Sequence, residues 1–168
     1  MCILIFGGHF LSMRGVISLI VHVAAVSGIL LAVAVDPAAA VVLITAEEAA
    51  LPDAVGAAHE LGVRGVTRGP MVSVVFPAPD AGAVRSPLRL LLRFESHGGA
   101  GINPNSVKVV YLKNPAINLT QRIGDLVVTG GIDLRSAEVP PGTHYIRVEI
   151  KDTAGRLGSA TFALLVLK

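Results

Sequence analysis

The sequence has little of the residue types that carry most protein chemistry. Its only cysteine is Cys2, it has no tryptophan, and aromatic residues make up 4% of the chain. A protein that matures after residue 40 holds no cysteine, which excludes disulfides, thiolate metal sites and a cysteine nucleophile. The low aromatic content argues against base stacking, and a net charge of +2 without a basic cluster argues against a nucleic-acid partner.

The sequence also lacks the motifs of common catalytic and metal sites. His97-Gly98-Gly99 resembles the oxyanion loop of esterases, but no G-x-S-x-G nucleophile turn accompanies it. The carboxylates Asp125, Asp133, Glu138 and Asp152 lack the D-x-D-x-D spacing of a calcium loop. We therefore expect no catalytic residue, no metal site and no cofactor.

One long apolar run lies near the N terminus. Arg14 precedes it, almost every residue in 16–35 is apolar, and the small residues 38–40 follow Asp36-Pro37. A basic start, an apolar run and a small-residue exit are typical of a secretory signal, so residues 1–40 are predicted to be a signal peptide cleaved after Ala40. The protein is accordingly expected to be exported to the periplasm or to the cell exterior.

Two questions about this signal stay open. Met13 directly precedes Arg14, so translation starts either at Met1 or at Met13. The run over residues 15–35 is also about as long as a bilayer requires, roughly 20 residues. An uncleaved membrane anchor is therefore the alternative to cleavage, and contact with a membrane is expected only through residues 15–35.

Residues 41–70 are rich in Ala, Gly and Val and show no sustained hydrophobic period. Thr45 and Glu48 have the spacing of a capping box, which predicts a short helix that ends before Pro52. The glycines that follow are typical of a flexible linker. The segment either tethers the next domain or packs onto it, and the sequence favours neither alternative.

From Met71 onward, short alternating apolar runs separated by Pro, Gly and Asn predict an all-β domain over residues 71–168. The predicted strands are Met71–Phe76, Leu88–Glu95, 107–113, two or three weaker strands within 119–123 and 126–134, and two final strands around 144–150 and 160–166. About seven strands in about a hundred residues is the number found in an immunoglobulin-like β-sandwich.

The two final strands carry a resemblance to a known family. The chain reads Gly142-Thr143-His144-Tyr145-Ile146-Arg147-Val148 and then Asp152-Thr153-Ala154-Gly155-Arg156. This resembles the closing hairpin of bacterial Ig-like domains, which often read G-T-H-x-I-x-V and then D-x-A-G-N, although Arg156 stands where asparagine is usual. The resemblance implies an extracytoplasmic interaction or spacer module without catalysis. It also implies that His144 lies at a strand corner, where its ring packs and hydrogen-bonds to nearby backbone.

Alternation along the third strand and the last two strands predicts an apolar face on the outside of one sheet. The residues expected on this face are Val110, Leu112, Tyr145, Arg147, Leu165 and Leu167. An outer sheet face is usually polar, and an apolar patch usually marks an interface. The face either docks an envelope protein or a second copy of the chain, or is covered by residues 41–66 folding back.

The sequence therefore favours a non-enzymatic, exported Ig-like module that binds a protein or surface, or acts as a spacer, in the cell envelope. The alternative is an accessory carbohydrate-binding module of an extracellular system. Because the chain has no tryptophan and only Tyr111 and Tyr145 as tyrosines, stacking on sugar rings is disfavoured.

Overall fold

The computed structural model describes residues 40–61 and 68–168, so residues 1–39 of the predicted signal peptide lie outside the described residues. The strands are β1 (Val41–Val42), β2 (Met71–Phe76), β3 (Leu88–Glu95), β4 (Ile102–Tyr111), β5 (Ile117–Asn118), β6 (Val127–Val128), β7 (Gly131–Glu138), β8 (Gly142–Asp152) and β9 (Leu157–Val166). The helical elements are α1 (Ala46–Ala50), α2 (Thr120–Ile123) and two 3-10 helices, Ala57–Glu60 and Gly124–Leu126. None of the helices in this part of the chain is long and apolar enough to span a membrane.

The strands form two sheets. One sheet has the order β1-β7-β3-β2, with β6 also paired to β7, and the other has the order β5-β4-β8-β9. The prediction of an all-β sandwich is confirmed. The edge strands β2 and β9 come together at one side, where Val84 follows β2 and bridges in parallel to Val166.

Alternation along the strands builds the core between the sheets. In β3 the side chains of Leu88, Leu90, Leu92 and Phe94 are buried, whereas Arg89 and Arg93 are exposed. On the opposing sheet, the buried residues are Val107, Val109 and Tyr111 of β4, His144, Ile146, Val148 and Ile150 of β8, and Leu164 and Val166 of β9. The predicted inward phase of these strands is therefore confirmed.

The bounds of β2 and β3 agree with the predictions, but β4 begins at Ile102 and ends at Tyr111, earlier than the predicted 107–113. The prediction of a strand over residues 119–123 is wrong, because α2 occupies Thr120–Ile123. The Asn118 side-chain oxygen accepts a hydrogen bond from the Thr120 backbone at 2.9 Å, and the Thr120 hydroxyl accepts one from the Val109 backbone at 2.9 Å. Such local bonds compete with strand pairing and turn the chain.

Residues 40–61 pack onto the sandwich, which favours the second of the two alternatives for this segment. β1 pairs with β7, and the backbone N–H groups of Leu43 and Ile44 both donate to the Glu138 carbonyl, at 3.0 and 3.3 Å. Leu43 and Ile44 are 1% and 2% exposed and belong to the main core. The described fold therefore includes Val41–Val42 as a strand, 30 residues before the first predicted strand.

Candidate functional site

Tyr111 of β4 and His144 of β8 form a buried pair on neighbouring strands. The Tyr111 hydroxyl lies 2.8 Å from Nδ1 of His144, and Nε2 of His144 lies 2.8 Å from the carbonyl oxygen of Pro140. A carbonyl oxygen only accepts, so Nε2 carries the proton, and Nδ1 of the neutral ring accepts the hydrogen bond that Tyr111 donates. Both side chains are almost completely buried.

This geometry gives His144 a structural role. Both ring nitrogens are hydrogen-bonded, and burial lowers the pKa of His144 below its ordinary value of 6.5, which keeps the ring neutral at physiological pH. A buried, neutral and fully hydrogen-bonded imidazole has no free nitrogen for a metal ion or a substrate. His144 thus packs in the core and hydrogen-bonds to nearby backbone.

Lys113, two residues after the end of β4, is a buried cation beside this pair. Its Nζ donates to the carbonyl oxygens of Ala49 and Leu51, at 3.0 and 2.8 Å, and lies 2.7 Å from a carboxylate oxygen of Asp53. Burial works to lower the pKa of Lys113, but the hydrogen bond to Asp53 and the neighbouring Tyr111 outweigh it, so the pKa is raised. Lys113 is therefore a charged side chain that binds residues 40–61, the N-terminal segment, to the end of β4. It is not a lysine poised to act as a nucleophile.

Two further ion pairs hold the same segment. Glu48 binds Arg122 of α2 through two hydrogen bonds of 2.8 and 2.5 Å, and these bonds are the main cause that lowers the pKa of Glu48 to about 2. Glu60 of the first 3-10 helix pairs with Arg147 of β8. The N-terminal segment is thus fixed to the sandwich by charge pairs at Glu48, Asp53 and Glu60.

The N-terminal segment covers part of the predicted interaction face. Leu112 was expected to be exposed, but it is 4% exposed, and its carbonyl oxygen accepts a hydrogen bond of 3.0 Å from the Ala54 backbone. Arg147 is half-buried against Glu60. The prediction that Leu112 is available to a partner is therefore wrong, because residues 53–60 fold over this end of the face.

The remaining residues of the predicted face lie where alternation places them. Val110 and Tyr145 are half-buried, whereas Leu165 and Leu167 are 45% and 43% exposed. The structure therefore does not bring all six predicted residues into one open patch. It leaves Leu165 and Leu167 as the exposed apolar part, at the C-terminal end of β9.

An apolar groove of about 420 Å³ lies beside these leucines, between the edge strands β2 and β9. Its described lining includes Val72 and Val74 of β2, Phe162 and Leu165 of β9, and Leu61. Among the described lining residues, Ser73 and Thr161 supply the only polar side chains, and none is charged. This lining suits the binding of uncharged, apolar groups and offers no acid, base or metal ligand.

Exposed apolar side chains concentrate at the same side of the sandwich. Of the ten large hydrophobic residues that are exposed in the described chain, six lie on β2 or β9 or directly beside them: Leu61, Val75, Phe76, Leu157, Leu165 and Leu167. Leu61 and Leu165 line the groove itself, and exposed apolar side chains beside an apolar groove are typical of a surface for association. The groove and its rim are therefore the candidate functional site.

Over residues 40–61 and 68–168, no group of three or more His, Cys, Asp or Glu side chains is arranged to hold a metal ion. Comparison of the chain with protein-family models, with curated proteins and with solved structures finds no match.

Sequence reasoning missed the groove, because it forms only where two edge strands that are distant in the chain come together. Two signals pointed toward it. Pro77 and Pro79 directly after β2 are typical of an edge strand, since proline cannot donate to a ladder. Leu165 and Leu167 were predicted to face outward, and they lie beside the groove.

Proposed function

We propose that this chain is a non-enzymatic, exported immunoglobulin-like module that binds a protein partner in the cell envelope. The strand order supports the immunoglobulin-like assignment. β4, β8 and β9 share one sheet, as strands C, F and G do in that fold, while β2, β3 and β7 take the positions of strands A, B and E.

The observation that carries the binding role is the apolar surface at the β2–β9 side. Val74 and Phe162 in the groove are only half-buried, and Leu165 on its rim is 45% exposed, so apolar area that a partner would bury is in contact with water. Arg89 and Arg93 on the outer face of β3 show the ordinary pattern, in which outward side chains are charged. The contrast between the two surfaces favours protein binding over a spacer role.

The carbohydrate-binding alternative has less support. Sugar rings stack on exposed aromatic faces, and Tyr111 is fully buried in the core, which leaves Tyr145 as the one partly accessible tyrosine. Among the described residues that line the groove, only Ser73 and Thr161 carry polar side chains, so few side-chain hydrogen bonds are available to hydroxyl-rich ligands.

Site-specific photo-cross-linking tests the proposal. The full chain is expressed with a photoreactive amino acid in place of Leu165, and a matched variant carries it in place of Val128, which is 59% exposed on the other sheet. After irradiation of cells, we expect a discrete cross-linked product with a protein partner from position 165 and none from position 128. No product at position 165, or the same products at both positions, would contradict the proposal.

A further inference from the structure

The outer edge of β9 has a defined pattern of backbone hydrogen-bonding groups. The Val84 N–H donates to the Leu165 carbonyl, and the Leu167 N–H donates to the Val84 carbonyl, both at 2.8 Å. The N–H and C=O of one strand residue point to the same side, and successive residues alternate. The odd-numbered residues of β9 therefore direct their backbone groups to the outer edge, whereas the even-numbered residues bond to β8.

Both ends of this edge are occupied by the chain itself. Val84 covers the C-terminal end, and Gly69-Pro70 lie against Leu157 and Gly158 at the other end. The approach there is so close that a Cβ on Gly158 would collide with the carbonyl oxygen of Pro70. Between these ends, no backbone hydrogen bond from the described residues reaches the outer side of residues 159–163.

The open stretch adjoins the groove. Ala160 and Phe162 point toward the core but are only half-buried, because the gap between β9 and β2 exposes them. A strand added to β9 would therefore send every second side chain into the gap, toward Val72 and Val74. Backbone groups and apolar side-chain space lie next to each other here, as recognition by strand addition requires.

We propose that the partner binds here as an extended, uncharged peptide segment that adds to the open stretch of β9. The inference rests on the proposed function and names the chemistry of its partner. An extended backbone presents N–H and C=O groups at the spacing of Ser159, Thr161 and Ala163. The described lining residues, none of which is charged, select against charged side chains.

The blocked ends fix the length of the segment and disfavour a second copy. The open stretch over residues 159–163 spans about 17 Å at roughly 3.4 Å per residue. A second copy would present its own β9, a strand of ten residues that pairs with β8 along its whole length. Val84 and Pro70 obstruct so long and rigid a strand, whereas a flexible segment enters and leaves between them.

Amide hydrogen exchange followed by NMR tests the inference on protein expressed from the full chain. The probe is a tail of alternating valine and threonine residues, as long as the open stretch, joined after Lys168 by about ten Gly and Ser residues. In the protein without the tail, we expect fast exchange at Ser159, Thr161 and Ala163 and slow exchange at Ala160 and Phe162. At an effective concentration of about 1 mM, a tail with an intrinsic Kd of about 0.1 mM slows exchange at the three odd-numbered residues roughly tenfold.

Two controls separate strand addition from nonspecific contact. A tail with proline at alternate positions cannot donate the edge hydrogen bonds and should not slow exchange. Thr161→Pro removes one outward N–H without removing a bond to β8, and it should abolish the effect of the original tail. If Thr161→Pro does not fold, Ala163→Pro makes the same test at the next outward N–H.

Three results would overturn the inference. Slow exchange at Ser159, Thr161 and Ala163 without a tail, independent of protein concentration, means that the chain covers its own edge. Slow exchange that increases with protein concentration means that a second copy binds there. No effect of the tail means that the edge does not accept a strand. If one of these results is found but cross-linking at position 165 captures a partner, the proposed function stands and only this inference fails. If the tail binds but cross-linking captures no partner, the proposed function fails.

Discussion

At the scale of single residues, the polar side chains inside the sandwich stabilise the fold as hydrogen-bonded groups. Tyr111 donates to His144, His144 donates to Pro140, and Lys113 lies 5.2 Å above the centre of the Tyr111 ring. Within the described residues, every buried side-chain nitrogen or oxygen has a hydrogen-bond partner. Removing one member of such a set should cost more than removing two members that bond to each other, because a single removal leaves a polar group unpaired.

A double-mutant cycle tests this coupling. Tyr111→Phe leaves Nδ1 of His144 unpaired, and His144→Leu leaves the Tyr111 hydroxyl unpaired, so each should lower the free energy of unfolding by about 1–3 kcal/mol. The double variant should lower the free energy of unfolding by less than the sum of the two losses. It leaves neither Nδ1 of His144 nor the Tyr111 hydroxyl unpaired, and it shares the unpaired Pro140 carbonyl with the single variant His144→Leu. Urea unfolding measures all four proteins. Strictly additive losses would show that the two side chains do not act as a pair.

The lowered pKa of His144 predicts a pH dependence of stability. Because burial disfavours the imidazolium, the unfolded chain binds a proton at a higher pH than the folded chain. The contribution to stability is therefore fully present above about pH 6.5 and is lost as the pH falls below it, by at most about 1.4 kcal/mol per pH unit. Denaturant unfolding between about pH 7 and about pH 5 should show that the free energy of unfolding falls less steeply with pH in His144→Leu than in the natural chain. Equal slopes would contradict the assignment of His144 as a buried, neutral side chain.

At the scale of elements, the N-terminal segment is part of the sandwich and not a tether. Leu43 and Ile44 fill the core beside β7, the capping box of Thr45 and Glu48 forms at 2.9 and 3.2 Å, and Lys113 closes over the end of α1. The sequence predicted the cap correctly because a cap depends on four consecutive residues. It did not predict the burial of Leu43 and Ile44, because that burial depends on pairing with a strand more than 90 residues away.

Neighbouring substitutions at Leu43 and Val42 measure the role of this segment. Leu43 is 1% exposed, so Leu43→Ala should lower the free energy of unfolding by roughly 2–5 kcal/mol through lost burial and a cavity. The preceding residue, Val42, is 47% exposed, so Val42→Ala should change the free energy of unfolding by less than about 1 kcal/mol. Thermal or denaturant unfolding gives both values. A neutral Leu43→Ala variant would restore the tether interpretation.

The ion pair of Glu48 and Arg122 predicts a second, more acidic pH dependence. The hydrogen bonds from Arg122 lower the pKa of Glu48 from 4.5 to about 2, so the folded chain releases this proton more readily than the unfolded chain. The stabilising contribution is present above about pH 4.5 and is lost as the pH falls from 4.5 toward 2. Glu48→Gln should therefore be less stable than the natural chain at neutral pH, and the difference should shrink over this range. A difference that stays constant with pH would contradict the pairing.

The strands differ in how far local sequence specifies them. β2 and β3 have the predicted bounds because clean alternation and flanking Pro and Gly residues act locally. α2 was mispredicted as a strand because Thr120 and Asn118 bond to nearby backbone, a preference that apolar periodicity does not report. The groove between β2 and β9 arises from the topology of the whole domain, so no window of sequence contains it.

At the scale of the whole molecule, the predicted cleavage site of the signal lies next to the first strand of the described fold. The expected cleavage after Ala40 falls directly before Val41, the first residue of β1, and so leaves the described strands intact. Cleavage several residues later would remove Leu43 and Ile44 from the core. If the signal is cleaved, we therefore expect a mature chain that begins at Val41 or very close to it.

Intact-mass measurement of the protein recovered from fractionated cells tests export most directly. We predict a species that spans residues 41–168 in the periplasmic or extracellular fraction, with the mass of a chain that lacks residues 1–40. A membrane-bound species that retains residues 16–35 would favour the anchor over cleavage and would keep the proposal of export. An uncleaved chain found in the cytosolic fraction would contradict the account.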